Sequence, residues 1–278
     1  MAGRIKLVAF DLDGVLYRGS RPVPGAREAL EYLDRRGLQV RFVTNNSTMH
    51  RSEVARKLSD MGLPAETGQV VGSAWAAARY VAGRLAAGEA VLYVGEEGLG
   101  RELREAGLPA EHVPGTLEEL HAYEARTTPV PGAVAVGLDR SFTYWGLAAA
   151  QHAVLSGALF VATNADVTIP TEHGVLPGGG SVVAAVAACT SVEPVVVGKP
   201  GLAMAEVLAE ASGVPSGETL FVGDRIETDI AFGLGAGMVT ALVLTGVATR
   251  EDLAAAEVTP HFVLDDLFGL PESLEAED

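Results

Sequence analysis

Two aspartates one residue apart, Asp11-Leu12-Asp13, follow the apolar run Leu7-Val8-Ala9-Phe10 and precede Gly14. A carboxylate so placed can attack phosphorus and form an aspartyl-phosphate, dividing one high barrier into two. A second acid two residues on can protonate the leaving alkoxide and later take a proton from water. Gly14 lets the backbone approach phosphoryl oxygens closely. Three more polar groups stand in the same context, directly after a short apolar run: Thr44-Asn45-Asn46-Ser47, Gly198-Lys199-Pro200 and Gly223-Asp224-Arg225. Thr44 and Asn45 offer hydrogen bonds to phosphoryl oxygens, and Lys199 offers positive charge for an anionic nucleophile meeting an anionic ester. Three acids in one crevice cannot all stay ionised without a cation. A hard divalent ion with oxygen ligands resolves the conflict, and Mg²⁺ suits a phosphate site. Asp224 would hold it, and Asp229 would orient its waters or Lys199.

Those residues need elements to bring them together. The candidate strands are Leu7–Phe10, Val40–Thr44, Val91–Val94, Ala133–Val136, Leu159–Thr163, Val195–Val197, Leu220–Val222, Ala241–Leu244 and Phe262–Leu264. They are continuous apolar runs rather than alternating ones, as in parallel sheets buried on both faces. Helix patterns lie between them at Ala26–Arg36, Ser52–Met61 and Leu202–Ala211, bounded by Pro24, Gly37, Gly62, Pro200 and Gly213. This rhythm predicts a doubly wound, Rossmann-like parallel-sheet α/β core, whose ligand crevice lies at the carboxyl ends of the strands. Roughly 150 residues separate Thr44 from Lys199, where one βαβ step needs about 30. The excess predicts an inserted α/β cap domain over 86–185, with the core formed by 1–85 and 186–278. Pro177-Gly178-Gly179-Gly180-Ser181, near the return, reads as a hinge or a helix start.

Composition narrows the partners. The 278 residues carry 20 Lys and Arg against 36 Asp and Glu, a net charge of −16. Such a surface repels nucleic acid and anionic membrane, and repels an anionic substrate too unless local cations reverse the field. There are three lysines, Lys6, Lys57 and Lys199, so a lysine after three valines is informative. No apolar stretch approaches the ~20 residues of a membrane helix. The first residues lack a secretory h-region and cleavage site, which predicts a cytoplasmic protein. The single cysteine, Cys189, excludes a disulfide framework and reads as a small core residue. The six histidines show no ligand spacing and read as surface or packing residues, and Asp139 and Arg140 read as a structural pair.

In order and type, Asp11-Leu12-Asp13-Gly14-Val15-Leu16, Thr44-Asn45, Lys199-Pro200 and Gly223-Asp224 with Asp229 resemble the haloacid dehalogenase superfamily. Asp13 is similar to the second acid of its phosphatases, which the true dehalogenases lack. Gly223–Ile230, Val136–Arg140 with Phe142-Thr143-Tyr144, and Ala162–Asp166 through Pro170-Thr171 and Pro177–Gly180 narrow the likeness. They resemble the 4-nitrophenylphosphatase, phosphoglycolate and pyridoxal-phosphate phosphatase branch, which carries an α/β cap between its second and third motifs. The resemblance implies Asp11 as nucleophile and metal ligand, and Asp13 as acid/base and ligand through its backbone carbonyl. It implies Asp224 as the third protein ligand, and Thr44, Asn45, Asn46 and Lys199 on the phosphoryl group. It further implies Mg²⁺, a small organophosphate substrate and a homodimer through the cap. Ile169 stands where the pyridoxal-phosphate enzymes place a polar residue, often His, and the loop Asp166-Val167-Thr168-Ile169 is expected to face the leaving group. Two other readings share part of this constellation. A sugar phosphomutase of the same superfamily would isomerise its substrate without net phosphate release. A phospho-acceptor receiver domain would be labelled once without turnover.

Overall fold

The computed structural model describes residues 5–126, 130–171 and 174–275. Its strands, in chain order, are β1 (Leu7–Phe10), β2 (Tyr17–Arg18), β3 (Arg21–Pro22), β4 (Gln39–Thr44), β5 (Val70–Gly72), β6 (Val91–Val94), β7 (Ala110–His112), β8 (Ala133–Val136), β9 (Leu159–Ala162), β10 (Thr168–Thr171), β11 (Gly174–Pro177), β12 (Val195–Val196), β13 (Thr219–Gly223), β14 (Val239–Val243) and β15 (Phe262–Leu264). The chain divides into two compact units. One comprises Met1–Thr44, Arg51–Val71 and Lys199–Asp278, the other Asn45–His50 and Gly72–Gly198.

The first unit is built on a six-stranded sheet in the order β15-β14-β13-β1-β4-β5. Strand β1 runs parallel to β13 on one side and to β4 on the other, with Phe10 opposite Val222 and Phe42. Every residue of β1 is buried, which is why it reads as an unbroken apolar run. Chain order reverses between β1 and β13, the switch point where loops from neighbouring strand ends splay apart and open a crevice. Helix Ala26–Arg35 buries Ala26, Ala29, Leu30 and Leu33, spaced three and four residues apart. Phe221 of β13 packs edge-on to Phe232, ring centroids 5.0 Å apart.

The second unit has its own five-stranded parallel sheet, in the order β12-β9-β8-β6-β7. Val134, Val136, Phe160 and Ala162 of this sheet pack with Ala149, Ala150 and Ala153 of helix Tyr144–Leu155 and Val182, Val183 and Val186 of helix Gly179–Thr190. Strands β10 and β11 form a separate antiparallel hairpin. The Gly178–Gly180 run is a helix start, since the helix begins at Gly179.

The second unit runs from Gly72 to Gly198 and takes in Asn45–His50. This arrangement departs from the sequence reading at one strand and at Cys189. The strand expected at Val195–Val197, in the same core as Leu7–Phe10, spans Val195–Val196 and pairs with β9 of the second sheet instead. Both sheets are parallel and buried, so apolar character does not say which one a two-residue strand joins. Cys189 is half-buried rather than a core residue. Among the described residues, no helix is long and apolar enough to cross a membrane.

Helix Gly179–Thr190 ends on Ser191 at φ 56°, the one described non-glycine residue in the left-handed region. That conformation costs roughly 1–2 kcal/mol for an L side chain, against roughly 0.5–1 kcal/mol for the extra unfolded-chain freedom of glycine. Ser191→Gly is therefore expected to stabilise the fold by about 0.5 kcal/mol. A rise in the guanidinium midpoint at unchanged slope reports it; a fall would contradict the strain.

Candidate active site

At the switch point the β1–β13 ladder continues one residue past the strands, with the Asp11 N–H donating to Val222 O at 2.8 Å. The chain then turns. Leu12 is buried and its carbonyl accepts from Leu16 N at 2.9 Å, while Gly14 N donates to Tyr17 O at 2.7 Å. Gly14 has φ +85°, and a Cβ there would overlap Asp224 Oδ2. Its carbonyl accepts from Thr245 Oγ1 at 2.7 Å. Glycine is thus required twice at this position, by the backbone angle and by the carboxylate packed against it.

Lys199 opens the last segment of the first unit, joined to Pro200 by a cis peptide. Its ammonium is buried at 3% side-chain exposure and donates to Asp11 Oδ1 at 2.5 Å and Asp229 Oδ1 at 2.7 Å. It also lies 5.4 Å from the centre of the Phe221 ring. Asp229 is carried back to β13 by the wide turn Ile226–Ile230, in which Ile230 N reaches Arg225 O. Its Oδ2 accepts from the backbone N–H groups of Asp224 and Arg225, both at 3.1 Å. Asp229 therefore ties the lysine to the loop that carries Asp224.

The charges do not balance. One carboxylate oxygen from each of Asp11, Asp224 and Asp229 lies within 4.8 Å of the others, with a single ammonium among them. Burial lifts the Asp11 carboxyl to about 6 despite the pull of Lys199, with Asp229 adding to the rise. Burial, reinforced by Asp11 and Asp229, lifts Asp224 to about 7. Burial alone would lower the Lys199 ammonium, but Asp11 and Asp229 outweigh it and hold it above the usual lysine range. Asp224 Oδ2 accepts from Val247 N at 2.8 Å, whereas its buried Oδ1 has no hydrogen-bond partner. A buried carboxylate oxygen without a donor, in an all-oxygen donor set with excess negative charge, fits a hard divalent cation. Asp11 and Asp224 could hold it.

Asp13 lies apart from that cluster of carboxylate oxygens. Burial raises its carboxyl, opposed by Lys57, then Arg225 and Arg18. Lys57 stands 4.0 Å from the centre of the Tyr17 ring, and burial pushes the Tyr17 phenol up. Sequence reading missed Lys57 because it lies on an ordinary-looking amphipathic helix, Arg51–Asp60. Scarcity was the available signal, since it is one of three lysines. The loop Thr245–Val247, with its contacts to Gly14 and Asp224, carries no charged residue to draw notice.

Of the expected site residues, Asp11, Asp13, Gly14, Thr44, Lys199, Asp224 and Asp229 fall in the first unit, with Thr44 buried at the end of β4. Asn45 and Asn46 group with the second. There the Asn45 side-chain amide donates to Asp166 Oδ2 at 3.2 Å, and Asn46 Oδ1 accepts from the Thr48 N–H and hydroxyl, each at 2.8 Å. Asp139 and Arg140 do not pair with each other: Asp139 bonds His112 at 2.8 Å and Arg140 bonds Glu96 at 2.5 Å. Nor is every histidine without a ligand-like setting. His50 Nε2 lies 3.4 Å from Glu102 and 3.1 Å from Glu105, a grouping assembled across 55 residues that spacing does not reveal.

Comparison with known proteins agrees with this geometry. The haloacid dehalogenase-like hydrolase family profile matches residues 8–109, and a HAD-hydrolase-like profile matches residues 196–270. An acid sugar phosphatase of Staphylococcus aureus is 37% identical over 262 residues, covering 94% of this chain and 95% of that protein. The structure of a 4-nitrophenylphosphatase from Thermotoga maritima superposes with a TM-score of 0.86 at 32% identity, covering 98% of each chain. That of a glycerol phosphate phosphatase from Mycobacterium tuberculosis, in complex with magnesium, gives 0.85 at 37% identity, covering 97% of this chain and 77% of that one.

The raised carboxyls set a sign for stability. Asp224 binds its proton more tightly in the folded chain than in the unfolded one. In metal-free protein, the stability penalty for ionising it grows as pH rises from its ordinary value near 4 toward about 7. Asp224→Asn removes that penalty. The variant is expected to melt above the parent at pH 8 in chelator, with the gap shrinking toward pH 5. Parallel melting temperatures across that range would contradict the charge crowding.

Proposed function

The chain belongs to the haloacid dehalogenase-like hydrolases and is a phosphatase of that family, and we propose that it hydrolyses small phosphate monoesters through an aspartyl-phosphate on Asp11 with Mg²⁺ bound. The observation that carries this reading is the crowding of Asp11, Asp224 and Asp229 around one buried lysine, with Asp224 Oδ1 left without a donor. Asp11 and Asp224, and in this reading the Asp13 carbonyl, would hold the Mg²⁺, which would supply charge neutralisation for the attacking carboxylate and the ester.

Asp11 attacks phosphorus while the ester P–O bond breaks. Lys199, bonded to Asp11 Oδ1, fixes that carboxylate's orientation and offsets its charge. Asp13 gives its proton to the departing alkoxide. Burial raises its carboxyl, which suits an acid that must hold a proton, and the opposing Lys57, Arg225 and Arg18 suit the carboxylate that follows. That carboxylate then takes a proton from the water attacking the aspartyl-phosphate. Phosphate leaves, and both aspartates return to their starting states. Thr44, Asn45, Asn46 and Lys199 bind the phosphoryl oxygens, and the Gly14 backbone approaches them closely. The second unit, with its hairpin β10–β11 beyond Asp166, is read as the inserted cap that selects the leaving group.

Phosphate release from 4-nitrophenyl phosphate, glycerol phosphate, phosphoglycolate, pyridoxal phosphate, nucleotides and sugar phosphates tests the proposal. Turnover with Mg²⁺ is expected, with none in chelator. Asp11→Asn is expected to lower kcat by at least about 10⁴-fold with an unchanged circular dichroism spectrum. An active Asp11→Asn enzyme, or equal rates in chelator, would falsify the nucleophile or metal assignment. Isomerised sugar phosphate without free phosphate would mark a mutase.

A further inference from the structure

The chain passes between its two units four times, and two of the crossings flank residues assigned above to the phosphoryl group. Thr44 is followed by Asn45, and Gly198 is followed by Lys199. On the second-unit side, both crossings are fastened to one stretch, Thr163–Asp166, at the carboxyl end of β9. Asn164 Nδ2 donates to Asn45 O at 2.8 Å, and Asp166 Oδ2 accepts from Asn45 Nδ2 at 3.2 Å. Ser73 Oγ also donates to Asn45 O, at 2.7 Å. Gly198 N donates to Thr163 O at 2.9 Å, and a Cβ on Gly198 would overlap that oxygen and come within 2.7 Å of Asn45 Oδ1.

The stretch is itself fixed. Asn164 is buried, and its Oδ1 accepts from Asp166 N at 3.1 Å, closing a tight turn. Gly180 N donates to Asp166 O at 2.9 Å, and a Cβ on Gly178 or Gly180 would overlap the carbonyl oxygen of Asp166 or Ala165 respectively. The glycine run that starts the following helix therefore lets that helix pack directly on the turn. A peptide group is planar and trans, so a held Asn45 carbonyl sends the Asn46 N–H to the opposite side. Three side chains thus set the Asn45–Asn46 peptide plane and the Asn45 amide.

We propose that Asp166 and Asn164 are positioning residues for phosphoryl capture, which orient Asn45 and the Asn45–Asn46 peptide without touching the ester. The inference rests on the assignment of Asn45 to the phosphoryl group. It gives the cap segment that leads into hairpin β10–β11 a second task, independent of the leaving group. A residue acting through Asn45 affects every phosphoryl ligand alike, including inorganic phosphate. A residue contacting the leaving group affects only the ranking of esters.

The experiment measures kcat and KM for four of the esters above, and inhibition by inorganic phosphate, with Mg²⁺ at pH 7. Asp166→Ala is expected to raise the phosphate inhibition constant and every KM by a common factor of about ten, with the ester ranking preserved. Asp166→Asn, which keeps an acceptor oxygen, is expected to recover most of the loss. In an Asn45→Ala background, Asp166→Ala should add nothing further. If Asp166→Ala does not fold, Asn164→Asp takes its place. It keeps size and the acceptor for Asp166 N while losing the donor to Asn45 O, and the same common rise is required. Unchanged phosphate inhibition, with or without a reordered ester ranking, overturns the proposal. So does a loss of kcat or melting temperature alone. Wild-type and Asp11→Asn enzymes run alongside separate the two readings. An inactive wild type sinks the phosphatase assignment, whereas normal wild-type turnover with unaffected Asp166 and Asn164 variants sinks only this one.

Discussion

The first unit is organised around a charge conflict that it cannot escape. Asp11, Asp224 and Asp229 crowd together beside a single ammonium, and three of these four groups are almost wholly buried. Leaving one partner of a buried ion pair alone typically costs about 3–5 kcal/mol, so the surroundings are arranged to supply donors. Asp229 takes two backbone N–H groups and Lys199; Asp224 takes Val247 N on one oxygen. What remains, Asp224 Oδ1 and the raised carboxyls, is the part the protein leaves for a cation.

The same conflict explains why backbone, rather than bulky side chains, surrounds the carboxylates. Gly14, Gly223 and Gly246 each stand where a Cβ would overlap a side-chain atom of Asp224 or Asp229. These glycines come from the ends of three different strands, so the carboxylates are gripped by main chain on several sides. The wide turn Ile226–Ile230 serves the same end, since it folds Asp229 back under the residue five before it. Precision here comes from short connections leaving buried parallel strands, whose positions the sheet fixes.

Much of this was legible in the sequence, for a physical reason. Fully buried parallel strands must be apolar along their whole length, so β1, β6 and β8 stand out to the residue, and the polar groups after such runs mark the crevice. Where burial is partial, the signal fades. Ala110–His112 is a half-exposed strand and was missed, as was the three-residue strand Val70–Gly72. Relations between distant residues were invisible too. Nothing in Val195–Val196 says which of two parallel sheets it joins, and nothing near Asp139 says that it bonds His112 rather than pairing with Arg140. Asn45–His50 packs with the second unit, through contacts that no local pattern announces. Gly98 N donates to Thr48 O, and His50 reaches Glu102 and Glu105 of one helix.

The acidic composition sharpens the meaning of the local cations. A net charge of −16 opposes the approach of a dianionic ester at long range, but that field is screened beyond about 8 Å in physiological salt. Attraction therefore needs only to be short-ranged. Two of the three lysines act in this way: Lys199 bonds Asp11, and Lys57, with Arg225 and Arg18, opposes the rise that burial imposes on the Asp13 carboxyl. Lys199 and Lys57 thus act on the two aspartates that flank Leu12. Recognition of the phosphoryl end then depends on contact within a few ångströms, and selection among esters falls to whatever lies beyond that radius.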